Sequence, residues 1–293
     1  MSTPAGGASG SARPRKVRRV DFDVALPSGR VRARRWGAAD APLLLCVHGL
    51  SANLTAYDYL GEELASADRQ VVAFDLRGCG RSEVTPPGSY GLDDRVDDVL
   101  ALADALGTQR FDLAGWSLGS LIAMRVALRA GSRLRSVALI DHAGPANKEA
   151  LGPVRSGLDR LDAVVESPAA YLQLVRSISA IAPWSKFWDD FYSYELRQRP
   201  DGSWTPSTSR AAAEEDLRQR WPRDWSEHWR ALTMPTVLIR AVGTHYGVPL
   251  VPAAAVEELR EVNPLVRVVE TPDSGHDTCM HDPVTAQAMA ALL

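Results

Sequence analysis

A chain of 293 residues, 45% of them hydrophobic, can fill one sizeable core and has room for an α/β domain with an insertion. Its formal net charge of −3 provides no basic field, which argues against a nucleic-acid partner, and no apolar run of about 18 residues exists to span a bilayer. The three cysteines, Cys46, Cys79 and Cys279, are odd in number and lack metal-ligand spacing, so no metal is expected and a reducing, cytoplasmic setting fits best.

Met1 to Ala12 is rich in Gly, Ser, Ala and Pro and lacks the apolar stretch of a secretory signal. Residues 1–18 therefore read as a disordered tail, and the basic run Arg13 to Arg19 at its junction with the core reads as a solvated arm. Positive charge is otherwise carried by arginine, the lysines being Lys16, Lys148 and Lys186; with many alanines this suggests a GC-rich, bacterial genome. Val20 to Leu26 and Arg30 to Trp36 alternate apolar with polar residues around Pro27-Ser28-Gly29, the pattern of an edge hairpin. By period two, Arg30, Arg32 and Arg34 share one face, expected to be solvated.

Leu43 to Val47 is a continuous apolar run, as in a strand buried on both faces, and it ends in His48-Gly49-Leu50. Gln70 to Phe74 is the next strand, followed by the turn Asp75-Leu76-Arg77-Gly78-Cys79-Gly80-Arg81-Ser82. Leu92 to Leu106 is amphipathic at helical period, with Val96, Val99, Leu100 and Leu106 on its apolar face. Phe111 to Ala114 then has strand character, Gly115-Trp116-Ser117-Leu118-Gly119 follows, and Leu118 to Ala130 has the apolar spacing of a buried helix. A serine between two glycines at a strand-to-helix junction is a nucleophile elbow. The turn is too tight for a Cβ at either glycine, and it lifts the hydroxyl above the sheet at a helix N-terminus.

Ser136 to Ile140 is a further strand, ending in Asp141-His142. From about Gly144 to Arg230 the alternation stops, and six of the eight tryptophans fall here: Trp184, Trp188, Trp204, Trp221, Trp225 and Trp229. Trp221, Trp225 and Trp229 are spaced for one helix face, as are Trp184, Trp188 and Phe191. Pro200-Asp201-Gly202-Ser203 reads as a turn. Thr236 to Ile239 and Leu265 to Val269 are strands, with a helix from Pro252 to Val262 between them. The chain closes with Ser274-Gly275-His276, then Pro283 and a last helix to Leu293.

The elbow, the His48-Gly49 pair after the first buried strand, the D-x-R-G-x-G-x-S turn at 75–82 and the Gly-His pair near the end together resemble the α/β-hydrolase superfamily. The likeness runs from about Val20 to the C-terminus, except for the stretch from Gly144 to Arg230. It implies a mostly parallel eight-stranded sheet with helices on both faces, made by residues 19–143 and 231–293, with residues 144–230 inserted after the sixth strand as a helical cap. It implies Ser117 as nucleophile, His276 as base, and the backbone N–H groups of Leu50 and Leu118 as the oxyanion hole. His48 is then a structural residue of its loop, and the 75–82 turn is scaffold. Rings of a cap so rich in tryptophan mainly attach it to the core, yet some face the pocket. Trp116, Trp184, Trp188 and Phe191 are the candidates for substrate contact, and they favour an apolar substrate.

The usual acid of the family sits in the loop after the seventh strand, but Ala241 to Val248 holds no carboxylate. A minority of families in this fold place it at the end of the sixth strand, 24 residues after the nucleophile, and Asp141 lies 24 residues after Ser117. Asp141 is thus the expected acid, with a water-assisted dyad, a pseudo-enzyme, Asp273 and Asp277 as alternatives. The resemblance implies a serine hydrolase of a small-to-medium apolar ester or lactone, needing no cofactor or metal, soluble as a monomer or homodimer. C–C bond hydrolysis of a β-diketone-like substrate, a perhydrolase or cyclase role, and a ligand-binding pseudo-hydrolase are the other readings. A serine at the elbow disfavours haloalkane dehalogenase and epoxide hydrolase chemistry, which use a carboxylate there.

Overall fold

The structure, a computed structural model, describes residues 18–150, 152, 157–218, 222–243 and 247–293. The expected tail before residue 18, Trp221 and His245 lie outside the described residues. Strands β1 (Arg19–Leu26) and β2 (Gly29–Trp36) form the edge hairpin. They are followed by β3 (Leu43–Val47), helix α1 (Asp58–Leu64), β4 (Gln70–Phe74) and α2 (Leu92–Ala105). Then come β5 (Phe111–Trp116), α3 (Leu118–Ala130) and β6 (Leu134–Ile140). The sheet order is β1-β2-β4-β3-β5-β6-β9-β10, where β9 (Thr236–Ala241) and β10 (Val266–Thr271) complete the eight strands. β2 runs antiparallel to β1 and β4, and the remaining pairs are parallel.

Period two divides each central strand between two cores. Leu43, Leu45 and Val47 join α2, α3 and helix α8 (Ala253–Val262) on one face, whereas Leu44 and Cys46 join α1 and helix α9 (Pro283–Ala290) on the other. Both faces are covered, which is why β3 is wholly apolar and not alternating. α9 starts where Asp282 accepts a hydrogen bond from the Val284 N–H and Pro283 occupies the first turn. All three cysteines are buried and form no disulfide, and the Cys279 thiol donates to the His276 carbonyl at 3.2 Å.

The basic face of β2 is solvated at Arg30 as expected, half-buried at Arg32, and departs from that expectation at Arg34. Arg34 is buried, its Nε and Nη2 donating to Asp21 at 2.6 and 2.8 Å and its Nη1 to Asp58 at 2.7 and 2.9 Å. The first turn of α1 brings Asp58 over the strand, a long-range contact that strand periodicity cannot reveal.

Between β6 and β9 the chain leaves the sheet. This segment contains α4 (Pro168–Ile178), α5 (Lys186–Tyr194), α6 (Arg210–Leu217) and α7 (Ser226–Arg230). It is not wholly helical as expected: β7 (Leu196–Gln198) and β8 (Trp204–Pro206) form a small antiparallel ribbon around the Pro200–Ser203 turn. Trp225 and Trp229 do not share one helix face, because α7 begins only at Ser226; both pack into the core under α3, and the Trp229 indole donates to the Ala143 carbonyl at 2.7 Å. Trp184 likewise precedes α5, which starts at Lys186. Among the described residues no helix is long and apolar enough to cross a membrane.

Candidate active site

The site is built from the C-terminal ends of β3, β5, β6, β9 and β10, His276 lying in the loop after β10. β5 passes into α3 through Ser117, which is held at φ 56° and ψ −118°, a conformation costly for any residue with a Cβ. A Cβ on Gly115 would lie 2.1 Å from the Gly119 carbonyl oxygen, and one on Gly119 would lie 2.0 Å from that of Val47. Only glycine fits at either place. Sequence reading did not single out Ser120, which braces the turn from beneath: its hydroxyl donates to the Gly115 carbonyl at 2.6 Å and accepts from the Ile140 N–H at 3.0 Å.

Leu118 is the first residue of α3, so its N–H has no partner within the helix and lies at the positive end of the helix dipole. The Gly49 backbone runs so close that a Cβ there would meet the Ser117 Cβ at 3.0 Å, which brings Leu50 to the cavity beside the serine. His48 is buried, its Nδ1 2.7 Å from the Gly49 carbonyl while its Nε2 accepts from the Leu76 N–H at 3.0 Å. Burial pushes its pKa down to about 3, so it ties two loops together as a neutral ring.

His276 meets Ser117 and Asp141 at once. Its Nε2 is 3.0 Å from the Ser117 hydroxyl, and its Nδ1 is 2.8 Å from Asp141 Oδ2. Asp141 stands at the end of β6 at φ 48°, and its other oxygen, Oδ1, accepts from the Ala241 N–H at 2.9 Å. Its own N–H donates to the Ile239 carbonyl at 2.7 Å, so the carboxylate is fixed by the sheet itself. Burial alone would lower the pKa of His276, but the hydrogen bond and charge of Asp141 outweigh it and hold the imidazole above its ordinary value. The Trp116 indole N–H donates to the His276 carbonyl at 3.0 Å, and the two rings lie 5.6 Å apart. Of the alternative acids, Asp273 is exposed, and Asp277 lines the cavity without a hydrogen bond to the ring. A ring held this way offers its Nε2 lone pair to the hydroxyl, the arrangement needed to take a proton from a nucleophile.

Above Ser117 lies a cavity of about 360 Å³. Trp116, Trp188 and Phe191 line it, as does Leu50. Trp184, expected there too, does not: it stacks on Tyr192 with ring centroids 5.6 Å apart, and its N–H donates to Asp189 at 2.8 Å. A residue that sequence reading missed, Arg160, forms part of the wall. Its guanidinium makes a two-point pair with buried Glu195 at 3.0 and 3.1 Å. It also donates to the Ser51 carbonyl at 2.6 Å, the Ser51 hydroxyl at 3.3 Å and the Gly157 carbonyl at 2.6 Å. Ser51 itself is held at φ 52°, so the inserted segment grips the loop that carries Leu50. Arg160 and Glu195 are 35 residues apart with no local pattern to link them, so nothing in the sequence pointed to this pair. Among the described residues no group of His, Cys, Asp and Glu could hold a metal ion.

A sequence profile of the family described as the alpha/beta hydrolase fold matches residues 42–283. The chain belongs to the α/β-hydrolase fold family. This member resembles a protein named as a carbamate hydrolase, RutD, of Variovorax paradoxus (strain S110), with 31% identity over 47% of this chain and 51% of that protein. It also resembles 2-hydroxymuconate semialdehyde hydrolase of Pseudomonas sp. (strain CF600), with 34% identity over 40% of each. The chain thus spans about half, or less, of the length of these curated relatives. Among solved structures, E-2-(acetamidomethylene)succinate hydrolase superposes with a TM-score of 0.80 at 25% identity, covering 94% of this chain and 99% of that one.

Proposed function

We propose that this α/β-hydrolase is a serine hydrolase acting on a small-to-medium apolar carboxylic ester or lactone through an acyl-enzyme. The observation that carries this reading is the unbroken hydrogen-bonded chain from Ser117 through His276 to Asp141, opening into a cavity walled in part by Trp116, Trp188, Phe191 and Leu50. Ser117 Oγ attacks the substrate carbonyl carbon while its proton passes to His276 Nε2. Asp141 holds the proton on Nδ1 and balances the imidazolium that forms. The N–H groups of Leu50 and Leu118 receive the negative oxygen of the tetrahedral intermediate. As that intermediate collapses, the leaving oxygen takes the proton from His276. A water then gives a proton to the same nitrogen, attacks the acyl carbon and releases the acid with Ser117 restored. Residues 144–230 act as the cap, and Trp188 and Phe191 supply its apolar contacts with substrate.

A second reading, C–C bond hydrolysis of a β-diketone-like substrate by the same residues, is favoured by the likeness to 2-hydroxymuconate semialdehyde hydrolase. Covalent labelling by a fluorophosphonate, read by intact mass, tests the shared core of both. Stoichiometric addition to the wild type and none to Ser117→Ala is the expected result. An unlabelled wild-type protein, under conditions where a known serine esterase reacts, would remove the nucleophile and leave a ligand-binding pseudo-hydrolase.

A further inference from the structure

The charge of the cavity is set by few groups. Among the described residues that line it, Arg160, His276 and Asp277 are the ones able to carry charge. Arg160 is spent: a guanidinium has five N–H hydrogens, and its donors already meet two carboxylate oxygens of Glu195, both oxygens of Ser51 and the Gly157 carbonyl. Its charge is matched by Glu195, which also accepts from the Tyr171 hydroxyl at 2.5 Å. His276 is engaged at both ring nitrogens. Asp277 differs from both, because its side-chain carboxyl has no hydrogen-bond partner among the described residues. The residue is half-buried, and packing against the wall, with the nearby charge of Asp141, raises its pKa against the opposing pull of His276 and Arg160.

We infer that Asp277 is the polar anchor of this site, and that the cavity takes substrates carrying a cationic or N–H-donating nitrogen on an otherwise apolar frame. A half-buried carboxylate that lines the cavity and takes no donor from the described residues is open to a ligand, and an ammonium or amide N–H meets it with a charge-assisted hydrogen bond. A substrate carboxylate meets the opposite situation: the acidic Asp277, and a cation, Arg160, with no hydrogen left to donate. The cavity therefore disfavours anionic substrates and favours basic ones through the Asp277 carboxylate. For turnover the inference rests on the serine-hydrolase reading, but for binding it does not.

The test is calorimetric titration of full-length Ser117→Ala with 4-phenylbutylamine, 4-phenylbutanol and 4-phenylbutanoate, three ligands of one shape. The ammonium is expected to bind about tenfold or more tightly than the alcohol, the range of one charge-assisted hydrogen bond, with the carboxylate weakest. In Ser117→Ala with Asp277→Asn, the advantage of the ammonium over the alcohol should disappear. Carboxylate binding equal to or tighter than ammonium, no measurable ammonium binding, or an ammonium preference that survives Asp277→Asn would each overturn the inference. Fluorophosphonate labelling of the wild type separates the two readings. Loss of labelling with the ammonium preference intact removes the serine hydrolase but not the anchor, and labelling without the preference does the reverse.

Discussion

Asp141→Asn isolates what the carboxylate at the end of β6 does. Asp141 accepts one hydrogen bond on each oxygen, from the His276 Nδ1 side at 2.8 Å and from the Ala241 N–H at 2.9 Å. Asparagine has one oxygen to serve both donors. The Ala241 N–H cannot change its nature, whereas an imidazole can move its proton from one nitrogen to the other. The amide oxygen therefore turns to Ala241, and its NH₂ faces His276 Nδ1, which becomes the acceptor. The proton then sits on Nε2, pointing at Ser117, and the base has no lone pair for the nucleophile. The expected loss in kcat is about 10³ to 10⁴, or ~4–5.5 kcal/mol of transition-state stabilisation, with the fold intact because both sheet contacts survive. Steady-state hydrolysis of p-nitrophenyl butyrate, alongside the rate of Ser117 phosphonylation and a circular dichroism melt, measures it. Activity within tenfold of wild type in a folded variant would refute the argument and move the acid to Asp273 or Asp277.

The raised pKa of His276 places the acid limb of the kcat/KM profile above the ordinary imidazole value of about 6.5, because only the neutral ring can accept the proton. A pH–rate series finding the half-point below about 6 would contradict it. The same shift is linked to stability: a base whose pKa is raised on folding stabilises fully below its unfolded pKa, and the contribution fades as pH rises through the folded value. Removing the partner with Asp141→Asn should thus cost more stability near pH 5.5 than near pH 9. Arg160→Met leaves the buried charge of Glu195 with only the Tyr171 hydroxyl, so urea unfolding should show a loss of about 3–5 kcal/mol. Joining it with Glu195→Leu should recover much of that loss. A single-variant cost below about 1 kcal/mol would show that the pair is not what secures the Ser51 loop.

Much of this protein is decided locally and was legible in its residues. The continuous apolar run at Leu43 to Val47 reads as a strand covered on both faces, and the observed sheet covers it so. Gly115 and Gly119 are required by backbone atoms a few residues away or on the next strand, so the elbow shows in five letters. Amphipathic spacing likewise located α2 and α3 to within a residue or two. What the sequence could not determine depends on contacts between distant segments. Three carboxylates were candidates to face His276, and which one comes within 2.8 Å of its ring follows from where β6 and β9 end side by side. Arg34 looked like one of a row of solvated charges until α1 set Asp58 above it. The tryptophans of the inserted segment share a composition, but α7 packs Trp229 under α3 while α5 turns Trp188 to the cavity. Periodicity records which side of an element is apolar; only the assembled chain determines which apolar surface it meets, and which buried charge finds a partner.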